Sequence, residues 1–385
     1  MRRASAAQRQ RLHDTFAALC AIPSPSGDER MCADFVGSEL RALGLEVRED
    51  DAGPSAGSNS GNLLAALDGP AEAPAIMLCA HLDTVPPTAP IEPVVLDGGW
   101  TNSNAGILGA DNKAAVAVLL ELARFLRGPD GGVEQRCGVE LVFTVSEENG
   151  LHGAKAFDTT QLRSEYGIVF DHASAIGEVV VASPTYHRVE ADFRGKAVHA
   201  GLHPEEGRSA IAAAARGICG IQLGRLDDET TCNVGTITGG TAANVVPERC
   251  RLEGEARSLS DARVEAVVTE MVDAFQDAAD AAECDLDVKV ERMFRGFRLK
   301  SREPHLQVAE RALTASGYEP RQIVTGGGSD ANAFVAAGFP CLCLSNGTER
   351  NHEPGERVSV DALESLLEVA IALVVQAGRR EGPES

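Results

Sequence analysis

Residues 76–85 have the sequence IMLCAHLDTV, a continuous apolar run that ends at His81 and Asp83. A short run of this kind predicts a strand that is buried on both faces, which is typical of parallel sheets. Polar residues at its end would lie at the carboxyl edge of the sheet, where α/β proteins bind their ligands. The stretch therefore predicts an α/β domain with a site that begins at His81 and Asp83.

The same order of an apolar run followed by acidic residues occurs twice more. Residues 139–145 lead into Glu147 and Glu148, and residues 167–170 lead into Asp171. Because the carboxyl ends of parallel strands meet at one edge of a sheet, we expect these three acidic side chains to lie near His81. The repeated pattern predicts a mostly parallel sheet.

Helical periodicity separates these strands. Residues 111–126 carry apolar side chains at i, i+3, i+4 and i+7 spacing, which predicts a helix that begins at Asp111 and buries one face. Further helices are predicted over 9–22, 28–43, 303–316 and from 360, and further strands over 45–49, 62–67, 75–80 and 339–344. Strands that alternate with helices indicate an α/β catalytic domain.

The pattern changes after Pro184. Val189, Ala191 and Phe193 alternate with charged residues, the period of a strand exposed on one face. Helices over 208–223 and 260–282, with strands over 232–238, 249–257 and 285–293, complete the β-α-β-β-α-β order of a ferredoxin-like unit. We therefore predict an inserted α+β domain over 185–296, between two parts of the catalytic domain, 1–184 and 297–385.

The composition argues against several classes of protein. The chain has 385 residues, 35 Lys and Arg against 57 Asp and Glu, and a net charge of −22, which disfavours binding to nucleic acid or to an anionic membrane surface. No apolar run has the length of a membrane span or follows the basic first residues as in a signal peptide. The ten cysteines lie singly without a CxxC pair, so we expect free thiols and a cytoplasmic location.

Histidine and carboxylate side chains together suit Zn²⁺, with Co²⁺ or Mn²⁺ as alternatives. Six such residues follow predicted strands or begin a predicted helix, and His352 adds a seventh in the loop SNGTERNHEPGE. Two metals that share one carboxylate would sit about 3.5 to 4 Å apart, polarise a carbonyl and generate hydroxide at neutral pH. The pattern predicts a two-metal hydrolase.

Each of these residues also has an ordinary structural explanation. Asp111 could be a helix N-cap, where aspartate is strongly preferred. Glu147 and Glu148 could form a solvated acidic turn, Asp171 could simply end a strand, and His352 could be an exposed loop residue. The metal hypothesis depends on their joint order along the chain.

The sequence resembles the M20 family of di-zinc metallopeptidases, and within it the tripeptidase T-like branch. The resemblance covers nearly the whole chain and lies in the motifs HLDTV, GADNKAAVAVLLE, TVSEENGLHGAKAFD, FDHASAIGEVV, GKAVHAGLHPEEGRSAI, TAANVVPE, GGGSDANAF and NHEPGE. It implies two zinc ions, one held by His81 and Asp171 and the other by Glu148 and His352, with Asp111 bridging them.

The resemblance also implies roles for residues that do not bind metal. Asp83 would orient the His81 ring, and Glu147 would be the catalytic base that forms a metal-bridging hydroxide. The family usually carries a second acid after the bridging aspartate, where this chain has Asn112. That position is not a ligand in the family, so the departure leaves the predicted metal site intact.

The inserted domain resembles the lid and dimerisation domain of the family, which implies a homodimer. His199, in KAVHAG, would reach the partner subunit's active site and stabilise the oxyanion, whereas His203 would be a surface residue. Asn244 and Arg257 would contact the substrate's backbone and carboxylate, a partner that suits the arginine fork. For Arg257 the alternative is a salt bridge on the sheet surface.

Three functions remain open from the sequence. The first is a metallopeptidase that hydrolyses an amide bond of a small peptide. The second is deacylation of an N-acyl amino acid, or desuccinylation, with the same residues. The third is a non-catalytic metal-binding regulatory protein, which the presence of the base and of every ligand disfavours. A serine hydrolase is disfavoured because the chain has no G-x-S-x-G.

Overall fold

The structure is a computed structural model that describes residues 3–71, 73–128 and 135–379. Its helices are α1 (Ala6–Cys20), α2 (Arg30–Ala42), α3 (Gly53–Ala56), α4 (Ala110–Arg127), α5 (His152–Ala156), α6 (Ala210–Cys219), α7 (Asp261–Ala281), α8 (Pro304–Ala315), α9 (Asp330–Ala336) and α10 (Val360–Ala377). None of these described helices is both long and apolar enough to cross a membrane.

The strands vary widely in length. They are β1 (Val47–Glu49), β2 (Leu63–Leu67), β3 (Ala75–His81), β4 (Pro93–Leu96), β5 (Gly99–Asn102), β6 (Gly138–Thr144), β7 (Gly167–His172), β8 (Glu178–Ser183), β9 (Thr185–Arg194), β10 (Gly224–Asp227), β11 (Thr230–Gly239), β12 (Arg249–Ser258), β13 (Asp285–Phe294), β14 (Phe297–Arg298), β15 (Arg321–Val324), β16 (Cys341–Ser345), β17 (Thr348–Glu349) and β18 (Arg357–Ser359). They form three sheets.

The chain divides into two compact units. The first consists of Met1–Val181, Leu299–Val324 and Ser329–Ser385, and the second of Ala182–Arg298 and Thr325–Gly328. The second unit is therefore an insertion in the chain of the first.

The largest sheet has the strand order β1-β2-β6-β3-β7-β16-β8-β14, with β15 paired to β8. Its four central strands, β6, β3, β7 and β16, are mutually parallel, whereas the flanking pairs are antiparallel. Every residue of β3 and β6 is buried, as expected for apolar strands covered on both faces. The prediction of an α/β fold with a mostly parallel sheet is confirmed.

Helices cover this sheet and complete the core of the first unit. α4 packs against β3, α1 and α10, so it is buried on nearly all sides rather than on the single face that its periodicity predicts. α1 begins three residues before the predicted start because Ser5 forms a capping box with Gln8. The helix that begins at Ala110 is thereby held rigidly beneath the carboxyl edge of the sheet.

The second unit has the predicted ferredoxin-like arrangement. Its sheet has the order β10-β11-β12-β9-β13 with antiparallel neighbours throughout, and α6 and α7 pack together against it. α6 ends at Cys219, earlier than predicted, and the chain then forms the additional strand β10. The inserted α+β domain is confirmed as a fold.

Candidate active site

The predicted metal-binding side chains lie at the carboxyl ends of parallel strands and in the loops beside them. β3 ends at His81, β7 carries Asp171 next to its last residue, and the Glu147–Glu148 pair follows β6. Asp111 lies in the first turn of α4, and His352 lies in the loop between β17 and β18. Five separate segments of the first unit thus supply one cluster.

Asp111 lies between the two histidines. Its Oδ1 is 3.3 Å from His81 Nε2, and its Oδ2 is 3.2 Å from His352 Nε2. His81 Nε2 is also 3.2 Å from Asp171 Oδ1, while His352 Nε2 is 2.9 Å from Glu148 Oε2. Each histidine therefore has its own carboxylate and shares Asp111. The same grouping is implied by the family resemblance, and the assignment of these side chains as metal ligands stays a prediction.

The donor set fits a divalent metal. Ligand atoms of His81, Asp111 and Glu148 lie within 4.8 Å of one another, as do those of His81, Glu147 and Asp171. Asp111 Oδ1 and Glu148 Oε1 are buried and accept no hydrogen bond from the described residues. Buried acceptors normally have a partner, and a cation would supply one. The second group contains Glu147, so the geometry brings both adjacent glutamates within reach of a metal.

Asp83 has two kinds of contact. The His81 ring approaches it through Nδ1, which is 3.0 Å from the Asp83 carbonyl oxygen and 3.4 Å from Oδ1. The carboxylate also accepts hydrogen bonds from the backbone N–H groups of Glu147 and Glu148, at 3.0 and 3.1 Å, and from the Ser26 hydroxyl at 2.6 Å. Asp83 therefore orients the histidine and also holds the turn that carries the two glutamates.

The cluster carries more negative charge than its histidines can neutralise. Burial, and then the charge of Asp171, raise the pKa of Glu147 well above its ordinary value. Burial also raises the pKa of Glu148, and it raises the pKa of Asp171 to about 8. Carboxylates whose charged form is disfavoured in this way are stabilised by a nearby cation.

In the two histidines and Asp111 the charged form is favoured instead, because these residues pair with one another. Burial alone would lower the pKa of His81, but the surrounding carboxylates, chiefly Asp171, raise it well above its ordinary value. Hydrogen bonds to Asp111 and Glu148 raise the pKa of His352 to about 10. Burial would raise the pKa of Asp111, but its histidine partners hold it below its usual range. These pairings favour the protonated form of both histidines.

Two buried carboxylates beside the cluster were not identified from the sequence. Asp330, the first residue of α9, is fully buried and accepts a hydrogen bond from the Thr144 hydroxyl, and burial raises its pKa to about 6. Glu29 is also fully buried and accepts hydrogen bonds from the backbone and hydroxyl of Ser146 at 3.1 and 3.2 Å. Asp330 lies in the motif GGGSDANAF, which contributes to the family resemblance without a role assigned to the aspartate, and Glu29 lies in no metal-like motif.

His199 and Asn244 lie together on exposed loops of the second unit. The Ala200 N–H donates to the Asn244 carbonyl at 2.9 Å, and His199 forms a bridge with Val245. His199 Nδ1 accepts the Gly201 N–H at 3.2 Å. The neutral ring must then carry its proton on Nε2, so Nε2 is a hydrogen-bond donor.

Arg257 is occupied by groups of its own unit. Its Nε and Nη2 donate to the Glu255 carboxylate at 3.1 and 3.0 Å, its Nη1 donates to the Gly326 carbonyl at 3.0 Å, and its guanidinium lies 4.2 Å above the Tyr186 ring. This is the salt bridge that the sequence left open as an alternative. A role in binding the substrate's carboxylate stays a prediction.

Comparisons with known proteins agree with this geometry. Residues 182–283 match a peptidase dimerisation domain, and residues 62–199 match peptidase family M28. The chain is 35% identical to an uncharacterised protein of Bacillus subtilis, YqjE, over 96% of this chain and 99% of that protein. It is 36% identical to a crystal structure of aminopeptidase PepT from Bacillus cereus, with a TM-score of 0.85, covering 96% of this chain and 99% of PepT.

A tripeptidase of Staphylococcus aureus is 33% identical, with a TM-score of 0.90 over 97% of this chain and 99% of the tripeptidase. A histidine and carboxylate cluster at the carboxyl edge of a parallel sheet, with an inserted dimerisation-type domain, defines a metal-dependent hydrolase. The chain belongs to the M20 family of metallopeptidases, which act on peptide bonds. The resemblance found in the sequence, including its tripeptidase T-like branch, is confirmed.

Proposed function

We propose that this protein is a tripeptidase-like aminopeptidase that hydrolyses an amide bond of short peptides with the help of two divalent metal ions. The observation that carries the proposal is the position of Asp111 between two histidines, each with a carboxylate of its own. The similarity to proteins described as an aminopeptidase and a tripeptidase supports the class of substrate.

We assign the ligands by these pairings. His81 and Asp171 would hold one ion, Glu148 and His352 the other, and Asp111 would contribute one oxygen to each. Zn²⁺ suits this nitrogen and oxygen set best, and Co²⁺ or Mn²⁺ would also fit it. When bound, the ions would polarise the scissile carbonyl and lower the pKa of water.

Glu147 would move the protons. Its carboxylate accepts no hydrogen bond from the described residues, and burial raises its pKa well above its ordinary value, which makes it a stronger proton acceptor than an exposed glutamate. It would take a proton from the attacking water and return it to the leaving amine. Asp83 would keep the Glu147 backbone in place through the hydrogen bond to its N–H.

The second unit would complete the site. We propose a homodimer in which Nε2 of His199 from the partner subunit donates to the developing oxyanion, while Asn244 and Arg257 contact the substrate. The match to a peptidase dimerisation domain supports the dimer. All ten cysteines lie within the described residues and are unpaired, which supports a reducing, cytoplasmic location.

Substrate profiling tests the proposal. The zinc-loaded protein would be assayed with a tripeptide, the corresponding dipeptide, the same tripeptide with an acetylated amino terminus, and an N-acetyl amino acid. We expect cleavage of the free tripeptide, loss of cleavage when the terminus is blocked, and two bound ions by elemental analysis. Glu147→Gln is the control for a contaminating peptidase.

The other hypotheses predict different results. Preferred hydrolysis of the N-acetyl or N-succinyl amino acid would indicate a deacylase. Full metal occupancy without hydrolysis of any of these compounds would indicate a regulatory protein. One bound ion, with activity unaffected by a chelator, would contradict the two-metal site.

A further inference from the structure

Glu356 is a buried carboxylate that binds the backbone of the loop before α4. Only 1% of the residue is exposed. Its Oε2 accepts the N–H groups of Leu108 and Gly109, each at 2.8 Å, and its Oε1 accepts the N–H of Asp111 at 2.9 Å. Both oxygens of one carboxylate are thus occupied by three backbone donors.

The loop is shaped to receive an anion. Gly109 has a φ of +74°, in the left-handed region, which turns neighbouring N–H groups toward the same side of the chain. Hydrogen bonds from backbone N–H groups to a carboxylate are among the stronger ones in proteins. All three N–H groups need an acceptor. A side-chain amide in place of the Glu356 carboxylate would put its NH₂ group against one of these N–H groups.

Glu356 also connects this loop to the one that carries His352. It lies four residues after His352, in the same loop, and directly before β18, which begins at Arg357 and is paired with β5. On the other side it binds the N–H of Asp111, whose Oδ2 is 3.2 Å from His352 Nε2. The carboxylate therefore joins the loop with His352 to Asp111, which lies 245 positions before Glu356 in the sequence.

The positions of His81 and Asp171 do not depend on this connection. His81 and Asp171 lie on β3 and β7, which are fixed by parallel pairing within the sheet. Loss of Glu356 should leave these two residues in place. It should allow the loop with Asp111 to separate from the loop with His352.

We propose that Glu356 is a positioning residue that sets the separation of Asp111 and His352, and so determines whether the protein holds a second metal ion. The inference rests on the two-metal site of the proposed function. It assigns to Glu356 an effect on metal occupancy that a purely structural residue would not have.

The test compares Glu356→Gln with the parent protein in Co²⁺ titrations, followed by the visible absorption of the bound ion and by elemental analysis after dialysis. We expect the second ion to bind roughly 10 to 100-fold more weakly, the range for loss of a residue that orients metal ligands, and the first ion to lose much less affinity because His81 and Asp171 stay in place. At limiting metal, kcat should fall more than KM rises.

Glu353→Gln is the matched control. Glu353 lies next to His352, its side chain is 55% exposed, and it pairs with Arg350 at the rim of the same loop. The Glu353→Gln substitution should leave the affinity for both ions unchanged. Glu356→Asp keeps the charge on a shorter side chain and should give an intermediate affinity for the second ion. It also provides the comparison if the glutamine variant does not fold, as judged by circular dichroism.

The outcomes separate the inference from the proposed function. If the parent protein binds two ions and both glutamine variants keep both with parental affinity, the inference is wrong and the proposed function stands. Lower thermal stability of Glu356→Gln with unchanged metal affinities would also overturn the inference, and so would an equal loss of affinity for both ions. A parent protein that binds only one ion would overturn the proposed function itself.

Discussion

Glu147 and Glu148 are neighbours with different surroundings. Glu148 Oε2 is 2.9 Å from His352, whereas the Glu147 carboxylate accepts no hydrogen bond from the described residues. We therefore expect Glu147→Gln to keep both ions and to lose most of its turnover, and Glu148→Gln to lose one ion. The measurements are elemental analysis and kcat on a tripeptide.

The geometry leaves one clear way for this prediction to fail. The Glu147 carboxylate also lies in a group with His81 and Asp171 whose ligand atoms are within 4.8 Å of one another. If Glu147→Gln loses an ion and Glu148→Gln does not, the two roles are exchanged. Equal loss of metal from both variants would show that neither residue acts as a free base.

Protonation of the metal-free site gives a second prediction. The pKa of His352 is raised to about 10 by its carboxylate partners, that of Asp171 to about 8 by burial, and that of His81 lies well above its ordinary value. The protonated forms of His81 and His352 are therefore favoured, and these histidines must lose protons to bind a metal. Loading with Zn²⁺ at pH 7 should release protons, because ligands bind in their deprotonated forms.

A pH-indicator dye in weakly buffered solution measures this release. The apparent affinity for metal should rise as the pH is raised above 7, because fewer protons then compete with the metal for these side chains. His203→Gln, a change at an exposed histidine outside the cluster, should release the same number of protons as the parent. Metal loading without proton release would contradict the protonated site.

The residues of this cluster could be predicted from the sequence because strand ends converge. Each metal-type side chain except His352, which lies in a polar loop, followed an apolar run or began a helix, and parallel pairing brings strand ends to one edge. Two partners of Arg257, Gly326 and Tyr186, could not be predicted in the same way because they lie on other segments, whereas Glu255 lies two residues earlier on β12. Asp330 and Glu29 were missed because a lone acid has no pattern of its own.

The turn between β6 and α5 is the element on which both glutamates depend. It folds back on β6 through hydrogen bonds from the Gly153 N–H to the Val145 carbonyl at 3.0 Å and from the His152 N–H to the Ser146 carbonyl at 2.9 Å. Asn62 closes the turn, because it donates to the Gly153 carbonyl and accepts the Val145 N–H. A Cβ at Gly153 would overlap both Val145 and Asn62.

Gly153→Ala should therefore displace the turn and weaken metal binding and turnover together. We expect the free energy of unfolding to fall by about 1 to 3 kcal/mol, the usual cost of overpacking. Urea denaturation and metal analysis measure the two effects. Gly235→Ala in β11 is the control, because the nearest atom to its added Cβ is 3.7 Å away. Unchanged metal content in Gly153→Ala would show that the turn tolerates the displacement.

The long elements of the fold could be predicted and the short ones could not. α4, α7 and α10 have enough turns for helical periodicity to be visible, and β3 and β6 are continuous apolar runs. The sheet of order β17-β18-β5-β4 has strands of only two to four residues, so alternation has no room to show. Their pairing depends on contacts distant in sequence, such as that of Val358 with Trp100.

At the scale of the whole molecule, the metal-type cluster and the proposed oxyanion donor lie on different units. The second unit, Ala182–Arg298 with Thr325–Gly328, contains His199, whereas the residues of the metal cluster belong to the first. The insertion could be recognised because the hydrophobic pattern changes after Pro184. Before it the strands are apolar runs, and after it apolar and charged residues alternate. The hydrophobic pattern of one chain does not show which subunit supplies the histidine. Contacts between subunits form between folded surfaces, which this pattern does not describe.

Subunit exchange tests the proposal that His199 acts across a dimer. His199→Ala should keep its metal and lose roughly 10²-fold in kcat, the scale for removing one oxyanion donor. When it is mixed with Glu147→Gln, a heterodimer combines the intact Glu147 of one subunit with the intact His199 of the other. Half of the dimers in an equal mixture are heterodimers with one working site of two, so a two-fold symmetric dimer should recover roughly one quarter of the parental activity.

The size of the recovery distinguishes the two arrangements. If His199 serves the site of its own chain, every subunit in the mixture lacks either the base or the histidine, and no activity returns. Exchange must be verified independently, for example with differently tagged subunits that are purified together. His203→Ala mixed with Glu147→Gln is the control, since His203 is an exposed neighbour that should leave its own subunit fully active. Verified exchange without recovery would assign His199 to its own subunit or to no catalytic role.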